Sequence, residues 1–311
     1  MDKSEMKKKW KKLWKGKYGN RLSTKIFLIL MMFIPFLDGV VYDLYLKAST
    51  IKMMFSDKYG TGFGFYWIQQ AFQELTWSGS PMIISIKNLF LIMIIFNAIG
   101  LPLNILMSFF FYKNVPYTKT LRTIYYLPNL VGAVIITLLF RTMIDVNLGP
   151  IGALFQRMGM DIPLEGLLFS PDTAFTTVMC YEFWWTAGAA TLLPTASMLK
   201  IPESIQDAMR IDGVPWRKEL FQVVVPLISP ILSVMFLSNV TIGFGMHGQV
   251  LMLTNPSLSQ FYTIGYILTE GALSGKYFEA AGRGFIVTCI AIPLVCGTRW
   301  AFGKFLPDVT Y

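Results

Sequence analysis

The chain has 311 residues, of which 54% are hydrophobic, 15% aromatic and only 14% charged, and its mean hydropathy is +0.52. That balance excludes an ordinary soluble domain and makes a bilayer the expected solvent. The net charge of +9 is concentrated ahead of the first apolar run; Lys-rich sequence in that position orients a span and anchors it to anionic lipid, so no nucleic-acid partner is expected.

Residues 1–25 form this basic segment, with Lys3, Lys7, Lys8, Lys9, Lys11, Lys12, Lys15, Lys17, Arg21 and Lys25, and the positive-inside rule keeps it in the cytoplasm. Six stretches then reach the roughly 20 apolar residues that a hydrocarbon core about 30 Å thick demands. They are residues 26–46, 89–111, 123–143, 173–193, 222–245 and 285–302. Unpaired backbone groups in lipid cost several kcal/mol, so each is expected to be a helix, and none alternates like a barrel strand. The predicted fold is an all-α membrane bundle of six transmembrane helices in one domain, 26–311. The first span should be retained: the basic region is long, Asp38 and Asp43 lie inside the span, and no clean small-x-small site follows it.

With six spans the inner loops carry Lys113, Lys119 and Arg122, then Lys200, Arg210, Arg217 and Lys218, then Arg299 and Lys304. The outer side carries Asp57, Glu74, Asp145, Asp161, Glu165, Asp172, Glu270 and Glu279. Both termini of this multi-pass protein are therefore expected in the cytoplasm, with the chain in the cell membrane. The outer segment 47–81, with Gly60, Gly62, Gly64, Tyr66 and Trp67, reads equally as a contact surface or a plain loop.

Few residues offer chemistry. Cys180, Cys289 and Cys296 fall inside predicted spans and read as small apolar fillers. His247 stands alone, no ligand cluster has metal spacing, and neither a metal nor a cofactor is expected. Residues 271–276 hint at a phosphate loop but are one residue short, with Tyr277 where Ser or Thr is required. No catalytic residue emerges, and a nucleotide that powered transport would have to sit on another subunit. Polar residues inside spans are costly and tend to face the bundle interior or a water-filled cavity. Asn97, Asn104, Glu182, Asn239 and Thr241 are such residues. With Trp184, Trp185 and Phe244 as aromatic faces they are the candidates for a substrate path; the alternative is that the tryptophans pack against helices or lipid and the asparagines bond between helices. Pro102, Pro128, Pro226, Pro230 and Pro293 are positioned to kink or interrupt their spans.

The polar stretch 201–221 lies between two apolar segments on the inner side. Its sequence predicts a short helix over 203–211, with Pro202 at an allowed first-turn position and Ile205, Ala208, Met209 and Asp212 spaced for one side. Gly213 permits a sharp turn, after which Val214-Pro215-Trp216 restarts a helix through Arg217, Glu219 and Phe221 into the fifth span. Such a helix-turn-helix is either a docking element or an ordinary interfacial amphipathic loop.

The run Asp207-Ala208-Met209-Arg210-Ile211-Asp212-Gly213, with Trp216 and the later Val225-Pro226-Leu227, resembles the EAA loop of ABC importer permeases, whose pattern is Glu-Ala-Ala-x-x-x-Gly followed by Ile-x-Leu-Pro. Ala208, Gly213 and Pro226 match; Asp207 stands where that family has Glu, and Met209 where it has the second Ala. The carbohydrate permeases of the maltose and oligosaccharide type carry Ile-Pro-x-x-x-x-Glu-Ala-Ala-x-Ile-Asp-Gly-Ala, nearly reproduced in residues 201–214. The Arg-Thr-x-x-x-x-Pro start of a span is similar to Leu121-Arg122-Thr123-Ile124-Tyr125-Tyr126-Leu127-Pro128, an outer loop to Asn147-Leu148-Gly149-Pro150-Ile151, and a Leu-Thr-Gly-Gly-Pro stretch to Leu253-Thr254-Asn255-Pro256.

The resemblance implies a type I importer bundle that is no enzyme itself. It implies a permease subunit for a carbohydrate, working with a second permease subunit, a cytoplasmic ATPase dimer and an extracellular solute-binding protein. Asp207 would meet a basic group in a cleft on the ATPase, Gly213 would supply the turn, and Ile205, Met209 and Ile211 would fill the groove. A permease for another solute, such as glycerol phosphate or a peptide, is the nearest alternative. A secondary transporter predicts ion relays and a repeated half, and an integral-membrane enzyme a cluster of His or carboxylates; the sequence holds only Glu182 deep in a span and a single histidine.

Overall fold

The computed structural model describes residues 22–159, 163, 166–246, 248–253 and 262–305. Two units emerge from it, residues 1–66 and 67–311.

In the first unit, helix α1 (Leu22–Asp38) runs through a π-helical segment, Gly39–Tyr45, into α2 (Leu46–Met54). Lys25–Met54 is long and apolar enough to cross a membrane, and none of its apolar window is buried. Beyond it, Ser56 bridges Phe63, and the Asp57 carboxylate accepts from the Thr61 N–H at 2.8 Å and the Thr61 hydroxyl at 3.2 Å. Backbone N–H groups, Gly62 foremost, hold the exposed Asp57 carboxyl below the ordinary carboxylate range.

The second unit begins inside α3 (Tyr66–Glu74). Helix α4 (Pro81–Ile95) passes through a π segment, Phe96–Gly100, into α5 (Leu101–Tyr112). Then come α6 (Thr118–Leu130), α7 (Ala133–Ile144), α8 (Pro150–Arg157), α9 (Ala174–Met198) and α10 (Glu203–Ile211). The short α11 (Trp216–Lys218), a π segment Glu219–Val224 and α12 (Val225–Leu227) lead into α13 (Ser229–Gly245). Helices α14 (Gly248–Leu253), α15 (Ile264–Leu273) and α16 (Tyr277–Phe305) complete the order.

Each predicted span is largely helical, but the shapes differ from six straight rods. The second helix begins at Pro81, well before residue 89, because the Ser80 hydroxyl accepts from the Ile83 N–H and Pro81 occupies a first-turn position. The third is broken: α6 and α7 meet at 106°. The break is at Val131 and Gly132, whose ψ values are near 140°, while Pro128 stays inside its helix. The fifth bends by 82° at Ile228, where Pro230 has no N–H for the carbonyl of residue 226 and crowds it. By length and apolarity, three described helices qualify as membrane spans, or five if each bent pair counts as one. Helix α9, which holds the fourth expected span, has 25 residues; Glu182 and Thr176, Thr177, Thr186, Thr191 and Thr195 lower its hydropathy.

Helix α9 packs on α5 and α6. A Cβ at Gly188 would come within 2.7 Å of the Tyr125 carbonyl oxygen, and Asn129 Nδ2 donates across the same crossing to the Trp185 carbonyl at 2.6 Å. A small residue and an interhelical hydrogen bond are what let helices approach closely without a hydrophobic drive. Two apolar cores result. One joins Met82, Leu89, Ile92, Phe96, Tyr181 and Ile264; the other joins Ile105, Phe109, Met198, Ile201, Leu220 and Val224 and underlies the 201–221 loop.

Candidate functional site

The loop helix α10 ends as the sequence predicts. Gly213 has φ +61°, the Val214 N–H donates to the Met209 carbonyl at 3.1 Å and the Gly213 N–H to the Arg210 carbonyl at 3.3 Å. That pairing is a Schellman cap, in which a left-handed residue satisfies the last carbonyls of a helix. Nothing lies within 4 Å of a Cβ at Gly213, so the requirement for glycine is conformational. Gly213→Val should cost about 1–2 kcal/mol at this turn and speed hydrogen exchange at the Val214 amide roughly tenfold; an unchanged rate would show that the turn does not depend on the glycine.

The inner face of α10 differs from expectation. Met209 is 8% exposed and Ile205 packs against the second core, so Ile205 anchors the loop to its own bundle and Met209 is already covered within this chain. Asp207, Ala208, Ile211 and Asp212 are exposed, with Ile211 at 85%. The four residues expected on one side thus divide between two faces. Among the described residues Asp207 pairs with Arg210, at 3.4 Å and in solvent, a contact of the kind worth well under about 1 kcal/mol. Trp216, half exposed, lies 6.2 Å from the Phe110 ring, with the Arg217 guanidinium over its indole.

The turn after α5 is tight, with positive φ at Asn114 and Tyr117. Arg122 Nη2 donates to the Phe111 carbonyl at 2.6 Å and its guanidinium covers the Phe111 ring, giving the Arg-Thr resemblance a physical role: a cation on the last carbonyls of a helix. Lys113 Nζ lies 2.5 Å from Glu219 Oε1, in an ion pair not aligned as a hydrogen bond. Sequence reasoning missed this pair, although an acid among the inner-loop bases was a signal.

The polar residues of the spans separate into two kinds. Asn239 Nδ2 donates to the Phe96 carbonyl at 3.2 Å and to Asn97 Oδ1 at 3.3 Å, and Asn97 Nδ2 to the Met93 carbonyl; these asparagines fasten α13 to the π segment. Beside them Phe96 stacks on Phe183 at 4.5 Å. Glu182 is 2% exposed, and its Oε1 has no hydrogen-bond partner. Trp184 packs on Phe140 and Tyr181, Trp185 stacks on Tyr181, and Phe244 packs on the first core. Asn104 is half-buried, and Thr241 is exposed, its hydroxyl donating to the Ser238 carbonyl. Cys180, Cys289 and Cys296 are exposed thiols on the outside of the helices, not interior fillers. His247, residues 254–256, Asp161 and Glu165 lie outside the described residues. Among the described residues no group of three or more His, Cys, Asp or Glu could hold a metal.

No protein-family profile matches the sequence. The probable ABC transporter permease protein YurN of Bacillus subtilis (strain 168) is 27% identical over 133 residues, 43% of this chain and 46% of that one, so this alignment spans less than half of the relative. The polygalacturonan/rhamnogalacturonan transport system permease protein YteP of the same organism is 20% identical over 310 residues, 96% of each chain. Among solved structures, a bacterial alginate ABC transporter in complex with an alginate pentasaccharide-bound periplasmic protein has a chain that superposes with a TM-score of 0.76, at 19% identity, over 92% of this chain and 97% of that one. The superposition shows that the chain shares the fold of a transporter chain, and the relatives are named as transport components rather than enzymes. The two curated relatives are both named as transport permeases, and it is to such proteins that the chain is similar.

Proposed function

We propose that this chain is a transmembrane permease subunit of an ATP-driven importer for a carbohydrate, oligosaccharide in size. The observation that carries the reading is the exposed Asp207–Ile211 face of a helix whose other face is fixed to the bundle through Ile205. That geometry suits a rigid handle for a cytoplasmic ATPase dimer, with the acid and Ile211 as anchors. Similarity to a permease named for polygalacturonan and rhamnogalacturonan, and to one crystallised with a pentasaccharide-bound periplasmic protein, supports sugar as solute and a binding protein as donor. A second permease subunit completes the path. Both termini are cytoplasmic, six spans cross the membrane with α9 as the fourth, and residues 47–81 lie on the outer side.

The path for the sugar runs along α9. Its buried Glu182, with an oxygen free to accept from a hydroxyl, is the principal polar group, flanked by Trp184 and Trp185 and joined by Asn104, Thr241 and Phe244. Asn97 and Asn239 spend their amides holding helices together. ATP drives the cycle because it binds one conformation of the assembled ATPases better than the other. Mass spectrometry of what co-purifies with the tagged chain in mild detergent from its native host tests the reading. Recovery of a second permease and an ATPase is expected; recovery of the chain alone, moving solute in liposomes without ATP, would overturn it.

A further inference from the structure

The apolar contacts between the coupling segment and the bundle, Leu220 and Val224 against Ile105 and Phe109, are non-directional. Such contacts fill space without requiring one particular partner. One contact is different in kind. Glu219 is 5% exposed, stands at the first position of the π segment Glu219–Val224, and takes its charge partner from Lys113, the C-terminal cap of α5. Asp43–Lys47 and Asp207–Arg210 are local in sequence and the pairs of Arg283 lie within α16 or join it to α3, whereas Lys113–Glu219 ties the coupling segment to the bundle.

We propose that Lys113 and Glu219 form the strut through which movement of the 201–221 loop is transmitted to α5 and α6. This rests on the reading of the loop as an ATPase handle. A buried carboxylate that loses its cation is strongly penalised, so the pair fixes the register of the two segments where apolar contacts cannot. Lys113 is itself held in place, its ammonium lying 5.7 Å from the centre of the Phe109 ring and 5.8 Å from that of Tyr112. The next link is short: the strained turn at Asn114 and Tyr117 and the Arg122 bond to the Phe111 carbonyl join the end of α5 to the start of α6. When the handle moves, Glu219 therefore carries the α5–α6 hairpin, and with it the α9 crossing at Gly188. A π segment at the base of the strut is suited to this task, since such irregular turns recur where helices must adjust.

Both residues are positioning residues, and the test separates transmission from folding. Lys113→Met, Glu219→Gln and the exchange Lys113→Glu with Glu219→Lys are compared in the complete transporter, reconstituted with its binding protein. Each single variant is expected to assemble and to keep basal ATP hydrolysis while solute moved per ATP falls about tenfold. The exchange should restore that ratio to within about threefold, short of complete because a cation suits a helix C-terminus better than an anion. Unchanged ratios in the singles, failure of the singles to assemble, or no recovery in the exchange would each overturn the proposal. If the wild-type chain recruits no ATPase, the functional reading fails instead. Oxidative cross-linking between Phe110→Cys and Trp216→Cys in native membranes then still reads the strut: a yield that falls on adding Lys113→Met supports it, and an unchanged yield does not.

Discussion

Asp207→Lys should abolish ATP-driven uptake while leaving the chain inserted and folded. The side chain is 62% exposed and its one ionic partner among the described residues is Arg210, four-fifths of a turn away on the same helix at 3.4 Å, so reversing its charge removes less than about 1 kcal/mol of folding stability. Docking is another matter. Truncating one member of a desolvated charge pair at an interface costs about 2–5 kcal/mol, and reversal adds repulsion. Recovery of the ATPase with the chain should therefore fall by at least about 30-fold. Asp207→Glu, which restores the methylene that the family's acid has, should bind at least as well as wild type, and Arg210→Ala should bind normally. ATPase recovery and uptake both at wild-type levels in the lysine variant would sink the docking assignment. Loss of the chain from the membrane would instead show that Asp207 serves folding.

The features legible in the sequence were those with a local cause. Apolar runs of spanning length gave helices, because in lipid the backbone has no other partner. Pro202, Gly213 and the spacing between them gave α10 and its cap, because a left-handed turn needs glycine. Illegible were features decided by contacts remote in sequence. Nothing near Met209 says that it is covered by its own chain, since an amphipathic helix on a membrane surface shows the same spacing whether its apolar side meets a partner or its own chain. For Asn97 and Asn239 the sequence left two readings open, path lining or a bond between helices, and the bond from Asn239 to Asn97 is of the second kind. Pro128 invited a kink, yet the break falls at Val131 and Gly132. Proline inside a membrane helix leaves the choice to its neighbours, and Pro128 is buried against them.

Arg283→Met should be the most destabilising single change in the second unit. Arg283 is only 12% exposed and meets two acids, Glu74 and Glu279, which are 17% and 19% exposed. Its Nε lies 3.0 Å from Glu74 Oε2 and its Nη2 2.9 Å from Glu74 Oε1, a fork across 209 residues of sequence; Nη2 also lies 2.5 Å from Glu279. Removing the guanidinium leaves two carboxylates mostly out of water with no cation between them. Breaking a buried ionic group in this way costs about 3–5 kcal/mol. The loss should concentrate at α3, which this pairing pins to the start of α16. There Trp67 stacks on Phe278 at 6.0 Å, and a Cβ at Gly282 would come within 2.6 Å of the Trp67 carbonyl oxygen. Arg283→Lys should recover part of the loss, because a point charge cannot reproduce the fork. Glu74→Gln should cost less than Arg283→Met, since Glu279 remains to pair the guanidinium. Thermal unfolding of the purified transporter followed by tryptophan fluorescence, with Trp67 at the affected contact, would rank the three variants. A methionine variant melting with the wild type would mean that apolar packing alone holds α3, and that the ion pairs follow the helix contact rather than cause it.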